Sequence, residues 1–203
     1  MKYAEIVRGS NFGEALYDIA KRPDILSIVE IGLWSGMGTT KCIIDGLMES
    51  QKTECAMVSY ECIKERWEEA VNNLSLYLKI FPNIKLINGT VISHDKFPEF
   101  DPTCMVKEWY DTDKKYSELC GYKDEYIPDS IDLLLIDGGE YTGWLEFEKL
   151  WERSKIIALD DIRVYKTNRI HNFLNNRDDF KLIHFNPNER NGFSIFERVF
   201  GSV

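Results

Sequence analysis

The alternation of short apolar runs with amphipathic runs is the feature that most restricts how this chain can fold. Five runs rich in Ile, Leu and Val are apolar on both faces, as buried parallel strands are: residues 25–31, 54–60, 84–88, 131–137 and 155–161. Helical patterns follow four of them, at residues 39–50, 63–81, 142–154 and 166–177. Two further strand candidates, residues 179–186 and 192–200, are joined by the turn-like sequence PNERN. This order predicts a Rossmann-like, doubly wound α/β sheet that is mostly parallel and ends in an antiparallel hairpin.

Residues 94–130 interrupt this alternation. Periodicity fails there, and the segment contains Pro98, Pro102 and Pro128. It also carries a tryptophan and four tyrosines: Trp109, Tyr110, Tyr116, Tyr122 and Tyr126. Because long loops inside compact domains are uncommon and usually functional, we expect one domain over residues 1–203 with an inserted, substrate-covering lid that has room for a short helix. The aromatic rings suit either stacking on a sugar ring or packing of the lid onto the sheet.

Charge and composition narrow the classes of partner. The net charge is −9 and the pI is about 5.0, which disfavours broad binding to nucleic acid or anionic lipid. No stretch approaches the roughly 20 apolar residues of a membrane span, and the beginning of the sequence lacks a signal-peptide pattern. The five cysteines are irregularly spaced and include no C-x-x-C, so neither a disulfide framework nor a zinc cluster is indicated. We therefore expect a cytoplasmic protein with a small-molecule partner.

The first strand candidate runs into the sequence VEIGLWSGMGTT, which contains three glycines after an acidic residue. Glu30 and Gly32 would lie at the carboxyl end of the strand, and Gly36 and Gly38 would complete the turn into a helix. Ligands of open α/β sheets bind at this edge, and glycine lets them approach the backbone closely. A tight strand-to-helix turn without a ligand is the alternative interpretation.

The second strand candidate ends in Glu61, which follows Gly38 by 23 residues. Dinucleotide-type folds place an acid for ribose hydroxyls at about this separation, although an acidic residue at a helix N-terminus is an alternative explanation. The glycine turn lacks the G-x-G-x-x-G spacing of a pyrophosphate site, and Glu30 would lie beside it. A ligand with a cationic amino acid part, such as S-adenosylmethionine (SAM), therefore fits better than NAD.

These residues carry a family resemblance. VEIGLWSGMGTT resembles motif I of class I SAM-dependent methyltransferases, and GLWSG is similar to the G-V-W-R-G form of macrolide sugar O-methyltransferases, with Trp34 in place of the middle glycine. The resemblance continues through YE at 60–61, residues 133–151 and IIALDDI at 156–162, but not through residues 94–130. It implies the seven-stranded class I fold and SAM as cofactor. The implied cofactor site comprises Glu30, Gly32, Trp34, Ser35, Gly36, Thr39, Tyr60, Glu61, Gly89, Thr90, Asp137 and Gly138.

Acidic residues end the fourth and fifth strand candidates. Asp137 follows one, and Asp160 and Asp161 follow the other, so the three should converge at one edge of the sheet. Their mutual repulsion calls for a cation, and Mg²⁺ is the simplest hard, oxygen-seeking ion. The resemblance likewise implies a Mg²⁺ (or other divalent cation) site at these positions, with Asp137 able to accept the substrate proton. Helix capping by Asp160 and Asp161, and a turn at Asp137, are the alternatives.

One departure from the family pattern concerns the catalytic base. Many relatives carry a histidine after the I-D-G run, where this chain has Glu140 and Tyr141. His171 is kept with Asp137 and Asp161 as a candidate catalytic residue, although a histidine on a helix face is more often structural.

The sequence thus predicts Mg²⁺-assisted methyl transfer from SAM to a hydroxyl of a sugar or glycan. A catechol-like or other small-molecule hydroxyl, a non-catalytic SAM-binding subunit and a glycosyltransferase are the rivals; the last is disfavoured because a D-x-D spacing and a basic phosphate cradle are missing. We expect neither nucleic acid nor membrane as a partner, and the sequence leaves a homo-oligomer open.

Overall fold

The computed structural model describes residues 4–199 and contains one seven-stranded sheet. The strand order is β3-β2-β1-β4-β5-β7-β6; β1 to β5 are parallel, and β7 runs antiparallel to both β5 and β6. The strands are β1 (Ser27–Ile31), β2 (Ala56–Glu61), β3 (Ile84–Asn88), β4 (Ile131–Ile136), β5 (Ser154–Asp160), β6 (Phe180–Asn186) and β7 (Phe193–Arg198). The predicted α/β architecture with its antiparallel C-terminal hairpin is confirmed; residue 200 of the last predicted strand lies outside the described residues.

Seven α-helices are described. They are α1 (Asn11–Lys21), α2 (Thr39–Glu49), α3 (Lys64–Asn73), α4 (Ser75–Ile80), α5 (Lys107–Cys120), α6 (Gly143–Leu150) and α7 (Tyr165–Asn175). The sequence analysis did not predict α1, although Ser10 caps it by accepting a hydrogen bond from the Gly13 backbone N–H at 3.1 Å. The helical pattern over residues 63–81 divides into α3 and α4. None of the helices in the described part of the chain is long and apolar enough to cross a membrane.

Apolar layers cover both faces of the sheet. Successive residues of a strand point to opposite faces, so Ile28 and Leu133 pack in the cluster that contains α1 and α2 residues. Val29 and Leu134 pack in the second cluster, together with residues of α6 and α7. This two-sided burial explains why the central strands are apolar at nearly every position.

The strand order reverses between β1 and β4. The chain runs outward from β1 to β2 and β3, then returns to pair β4 with the other side of β1. In register, Ile31 pairs with both Tyr60 and Ile136. The segment after β1 therefore leaves the sheet between the ends of β2 and β4, where open α/β sheets bind ligands.

The inserted segment (residues 94–130) connects β3 to β4 and contains α5, a helix of 14 residues that is longer than the predicted short helix. The segment has a small apolar cluster in which Tyr110 packs against Phe97 and Phe100. Tyr110 also packs on Tyr141, and the Tyr141 hydroxyl accepts a hydrogen bond from the Val106 N–H at 2.8 Å. The segment is thereby anchored to the loop that follows β4.

Candidate active site

A cavity of about 820 Å³ lies at the carboxyl ends of β1, β2 and β4, a volume typical of small-ligand sites. Most residues of the predicted cofactor site line it: Gly32, Trp34, Thr39, Tyr60, Glu61, Gly89, Thr90, Asp137 and Gly138. The inserted segment contributes another part of the wall through α5, including Trp109, Tyr116 and Ser117. Cofactor motifs and inserted segment thus share one cavity.

The glycine turn (residues 32–38) closes tightly over the end of β4. Gly32 has φ = +100°, and a Cβ built there would lie 2.1 Å from the Asp137 carbonyl oxygen, so only glycine fits. Trp34 has a positive φ of 51°, which is unfavourable for a tryptophan. Its backbone N–H donates to Glu61 at 2.8 Å, and the Arg66 guanidinium lies 3.6 Å from its ring centroid. These contacts hold the turn in its strained conformation.

Glu61 joins the glycine turn to the end of β2. Its Oε2 accepts the Trp34 N–H, and its Oε1 accepts the Ile63 N–H at 2.9 Å, immediately before α3. Burial raises the pKa of the Glu61 carboxyl, although these hydrogen bonds oppose the shift. Each carboxylate oxygen can accept a second hydrogen bond, so the structural role at α3 is compatible with binding a ligand diol.

Glu30 lies behind the glycine turn and not on the cavity wall. It is fully buried, and its carboxylate accepts hydrogen bonds from the hydroxyls of Thr39, Thr40 and Ser59 at 2.7–2.8 Å. Burial raises the pKa of Glu30 to about 7, because neutral hydroxyls compensate only part of the desolvation of a carboxylate. Glu30 therefore fastens the start of α2 to β1 and β2.

Two other residues of the predicted cofactor site also lie off the wall. The Ser35 carbonyl accepts a hydrogen bond from the Asn73 amide at 3.0 Å. Gly36 packs so closely on α3 and its C-cap that an added Cβ would lie 2.7 Å from Leu74. Both positions fix the outer side of the glycine turn against α3.

The aspartates after β4 and β5 converge as expected and form the aspartate cluster (Asp137, Asp160 and Asp161). One oxygen of each lies within 4.8 Å of the others. Two basic side chains, which the sequence analysis did not predict, reach the cluster. Lys166 Nζ lies 2.9 Å from Asp137 Oδ1 and 2.7 Å from Asp161 Oδ2, and Arg190 Nη1 lies 2.7 Å from Asp160 Oδ2.

The charged groups of the cluster are close enough to shift one another's pKa values. Burial raises the pKa of Asp160 to about 8, and the neighbouring aspartates act in the same direction. Burial also disfavours the charged form of Asp161, but Lys166 outweighs it and lowers the pKa of that carboxyl. Burial lowers the pKa of Lys166, yet the charges of Asp137 and Asp161 raise it above the usual range. Lys166 is therefore a buried ammonium ion that partly neutralises the cluster.

Backbone strain also concentrates here. Among the described residues, four non-glycine residues have positive φ, and besides Trp34 these include Asp161 (59°) and Arg190 (53°). Such conformations persist where the surrounding structure enforces them, and they cluster at functional sites. In this case the strain orients Asp161 towards Lys166 and Asn191, whose amide donates to Asp161 Oδ1 at 3.0 Å.

Three buried side-chain oxygens in the described part of the chain have no hydrogen-bond partner, and all three residues line this cavity. They are Tyr60 Oη, Ser117 Oγ and Glu146 Oε2. Buried polar groups are nearly always paired, so unpaired ones along a cavity indicate a polar ligand. Glu146 was not predicted as a site residue. Its position could have indicated one, because it is the charged residue on the otherwise apolar face formed by Gly143, Phe147 and Leu150.

His171 lies away from the aspartate cluster and does not line the cavity. Its Nδ1 lies 3.0 Å from Ser194 Oγ, and its ring stacks on Phe185. Burial lowers the pKa of His171. The structure thus gives His171 a packing role between α7 and the C-terminal hairpin, and it does not bring the imidazole to the other candidate catalytic residues, Asp137 and Asp161.

No protein-family model matches this sequence, and no curated protein sequence matches it. Similar folds occur among solved methyltransferases. A methyltransferase from Geobacter sulfurreducens has a TM-score of 0.62 at 16% identity, covering 97% of this chain and 81% of that one. An O-methyltransferase from Bacillus cereus, solved with S-adenosylhomocysteine (SAH), has a TM-score of 0.61 at 14% identity, with coverages of 92% and 80%.

A third similar structure is TomG from Streptomyces achromogenes, an O-methyltransferase involved in tomaymycin synthesis that was solved with SAM. Its TM-score is 0.61 at 13% identity, and the match covers 93% of this chain and 79% of that one. At these identities the likeness concerns the fold. This chain has the seven-stranded α/β fold of the class I methyltransferases.

Proposed function

We propose that this protein is a SAM-dependent O-methyltransferase that acts on a small-molecule hydroxyl. One observation carries the proposal: the cavity at the reversal point of the sheet joins the Gly32 turn, the Glu61 carboxylate and unpaired buried oxygens in a single space. The fold shared with SAM- and SAH-bound O-methyltransferases supports the same conclusion. We include a cytoplasmic setting and a soluble acceptor in this proposal.

The wall residues suit the chemical parts of SAM. The free lone pairs of Glu61 can accept hydrogen bonds from the ribose diol. Gly32 lets the chain turn tightly against the Asp137 carbonyl, which brings the glycine turn to the cavity wall where the methionine part would bind. The Asp137 carboxylate supplies negative charge beside the turn, which favours the cationic part of the cofactor.

Asp137 is also the proposed proton acceptor for the acceptor hydroxyl. It lines the cavity, whereas Asp160 and Asp161 lie behind it. Holding the hydroxyl oxygen in line with the methyl group is the main contribution that the protein can make to an in-line transfer. Lys166, 2.9 Å from Asp137, orients this carboxylate.

We further propose that the aspartate cluster can hold Mg²⁺ or another divalent cation. The donor set fits, because three converging carboxylates are the hard oxygen ligands that such ions prefer. When bound, the ion would lower the pKa of a coordinated hydroxyl and orient it. Lys166 and Arg190 pair with the same carboxylates, so an ion must compete with these two cations.

A sugar or glycan hydroxyl is the proposed acceptor, and the similarity of GLWSG to the macrolide sugar enzymes supports it. The partly exposed Trp109 ring on the cavity wall offers a flat surface for a sugar. It would equally serve a catechol-like acceptor. Paired screens of glycosylated and catechol acceptors, read as a 14 Da mass gain, should yield methylated product with the glycosylated set.

Calorimetry with SAM and, separately, with a UDP-sugar tests the cofactor. Wild type should bind SAM and not the UDP-sugar. Glu61→Ala should weaken SAM binding at least about ten-fold, because it removes charge-assisted hydrogen bonds. Binding of the UDP-sugar alone would indicate a glycosyltransferase, and SAM binding without any methyl transfer would indicate a silent subunit.

Metal dependence is tested separately. After exhaustive EDTA treatment, methyl transfer should be lost and then restored by Mg²⁺, while SAM affinity should remain within about three-fold of its initial value. Full activity after EDTA would refute the metal proposal and leave the methyltransferase proposal intact.

A further inference from the structure

We propose that Glu146 is the residue that selects a 6-aminopurine in the cofactor: its Oε2 accepts a hydrogen bond from the exocyclic amine of the base. The proposal rests on the proposed SAM site and deepens it. It concerns the part of the cavity between the end of β2, the loop after β4 and α5.

The first observation is that Glu146 is buried without full compensation. Its side chain belongs to a residue that is 3% exposed, Oε1 accepts the Thr142 hydroxyl at 2.8 Å, and Oε2 has no partner. Burying a carboxylate with one neutral donor costs free energy that an apolar residue would not. Glu146 shares the buried side of α6 with Phe147 and Leu150, where an apolar residue would be expected. We infer that the carboxylate is there to accept a hydrogen bond from a donor that the protein itself does not supply.

The second observation is that this region has the shape and the polar groups for a flat heterocycle. Gly138 faces Glu146, and an added Cβ there would lie 3.3 Å from Oε2, so glycine leaves the carboxylate open. Ser117 Oγ, also buried and unpaired, lines the same cavity from α5. A hydroxyl can donate to a ring nitrogen while the carboxylate accepts from an amine.

The third observation places this region next to the ribose position. Cys62 directly follows Glu61 and lines the cavity. Glu61 lies at the end of β2, and Glu146 faces Gly138 directly after the end of β4. Ser117 lines the same cavity from α5. Because β2 and β4 flank β1, a base attached to a ribose at Glu61 would extend along the wall that carries Glu146 and Ser117.

The orientation of the Glu146 carboxylate gives the selectivity. At pH values above the raised Glu146 pKa of about 7, the ionised Oε2 accepts from the amine of adenine but opposes the 6-oxo oxygen of hypoxanthine. In Glu146→Gln, the amide oxygen can keep the Thr142 hydroxyl at the Oε1 position, and the NH₂ group then lies at the Oε2 position. That amide donor would favour a 6-oxo base.

The test is calorimetric titration at pH 8, where Glu146 is mostly ionised, with SAH and with S-inosylhomocysteine, which differs in the base only. Wild type should bind SAH at least about ten-fold more tightly. Glu146→Gln should lose at least about ten-fold in SAH affinity and gain affinity for the inosine analogue, which an unfolded variant would not do. Glu146→Met, which removes both oxygens at similar size, should bind the two ligands within about three-fold of each other.

Glu148→Gln is the matched control, since Glu148 lies on the same helix with its side chain exposed, and it should keep the wild-type preference. Unchanged preference for SAH in both Glu146 variants would overturn the inference and leave the SAM proposal standing. Failure of the wild-type protein to bind either nucleoside would overturn the proposed function itself.

Discussion

The two ends of the cavity hold their buried acids in different ways. At the end formed by the glycine turn and α6, neutral donors hold the carboxylates: hydroxyls for Glu30, backbone N–H groups for Glu61 and a single threonine for Glu146. At the other end, Lys166 and Arg190 pair with the aspartate cluster. The first end we call the neutral end, and the second the charged end.

The difference shows what each kind of partner does for a buried carboxylate. Neutral donors orient the group and leave lone pairs free, but they offset only part of the desolvation, so the pKa values of Glu30 and Glu146 rise to about 7. A cation can offset desolvation, as Lys166 does for Asp161, although Asp160 beside Arg190 keeps a raised pKa. In both cases the cation occupies carboxylate oxygens, so a ligand or metal ion must compete with it. On the proposed function, we expect the neutral end to bind the nucleoside part of the cofactor and the charged end to bind a metal ion only by displacing its own cations.

Removing the Lys166 ammonium group from the charged end should have the largest effect on stability. Lys166→Met leaves Asp137 and Asp161 without their ammonium partner, and we expect the free energy of unfolding at pH 7 to fall by about 3–5 kcal/mol in urea titrations. Millimolar Mg²⁺ should restore part of the loss if the cluster binds the ion.

Lys155→Met is the matched control. Lys155 pairs with Asp24 near the surface, so its loss should cost less than about 1 kcal/mol. If both substitutions lowered the free energy of unfolding equally, Lys166 would stabilise the protein no more than a surface ion pair does. The proposed difference between the neutral and the charged end would then be wrong.

Asp137→Asn tests whether the charged end performs the chemistry. The amide keeps the size of the side chain but loses the negative charge and the ability to take a proton, so kcat should fall at least about 100-fold. SAM affinity, measured by calorimetry, should fall by about ten-fold at most, because the variant loses the negative charge that favours the cationic part of the cofactor. A loss of affinity as large as the loss of kcat would instead assign Asp137 to cofactor binding alone.

The pH dependence of stability in Glu30→Gln tests whether neutral donors leave the Glu30 pKa raised. The Glu30 pKa is about 7 in the folded protein and about 4.5 without burial, so the folded state binds the proton more tightly. The free energy of unfolding therefore decreases as pH rises from about 4.5 to 7, with Glu30 contributing about 2 kcal/mol of the loss between pH 5 and pH 7.

Glutamine does not titrate, so urea titrations of Glu30→Gln at pH 5, 6 and 7 should give a flatter profile than wild type by about that amount. Glu148→Gln should keep the wild-type slope. An identical slope in Glu30→Gln and wild type would mean that the hydroxyl cage keeps Glu30 ionised throughout.

Trp109→Ala should have the smallest effect. Trp109 is 55% exposed on the cavity wall, so its loss should raise the acceptor KM by about three- to ten-fold and leave SAM affinity unchanged. Tyr110→Ala is the contrasting substitution, because Tyr110 is buried in the inserted segment and should lower stability instead. If Trp109→Ala also lost SAM affinity, α5 would contribute to the cofactor site and would belong to the neutral end.

Much of the fold and part of the site could be predicted from local patterns. Apolar runs predicted all seven strands to within two residues at every described end. Gly32, Glu61 and Asp137 were correctly expected at one edge of the sheet, because they lie at the ends of strands. Helix α1 was also readable, because Phe12, Leu16 and Ile19 recur at helical spacing after Ser10, yet it was not predicted. The inserted segment was recognised by its loss of periodicity, but periodicity loss says nothing about how long a helix it contains.

By itself, the sequence determined the layered α/β fold, the close turn at Gly32 and the meeting of three aspartates, because each depends on strand period and on where strands end. Only the tertiary structure decided which side chains pair with those acids and which other acid joins the cavity wall. Lys166 reaches Asp137 across 29 positions and Arg190 reaches Asp160 across 30, while Glu146 enters the cavity from the side of α6 that packs on the sheet. The physical reason is that pairing of buried charges depends on how helices and the C-terminal hairpin are placed around the sheet, and local periodicity carries no information about that placement.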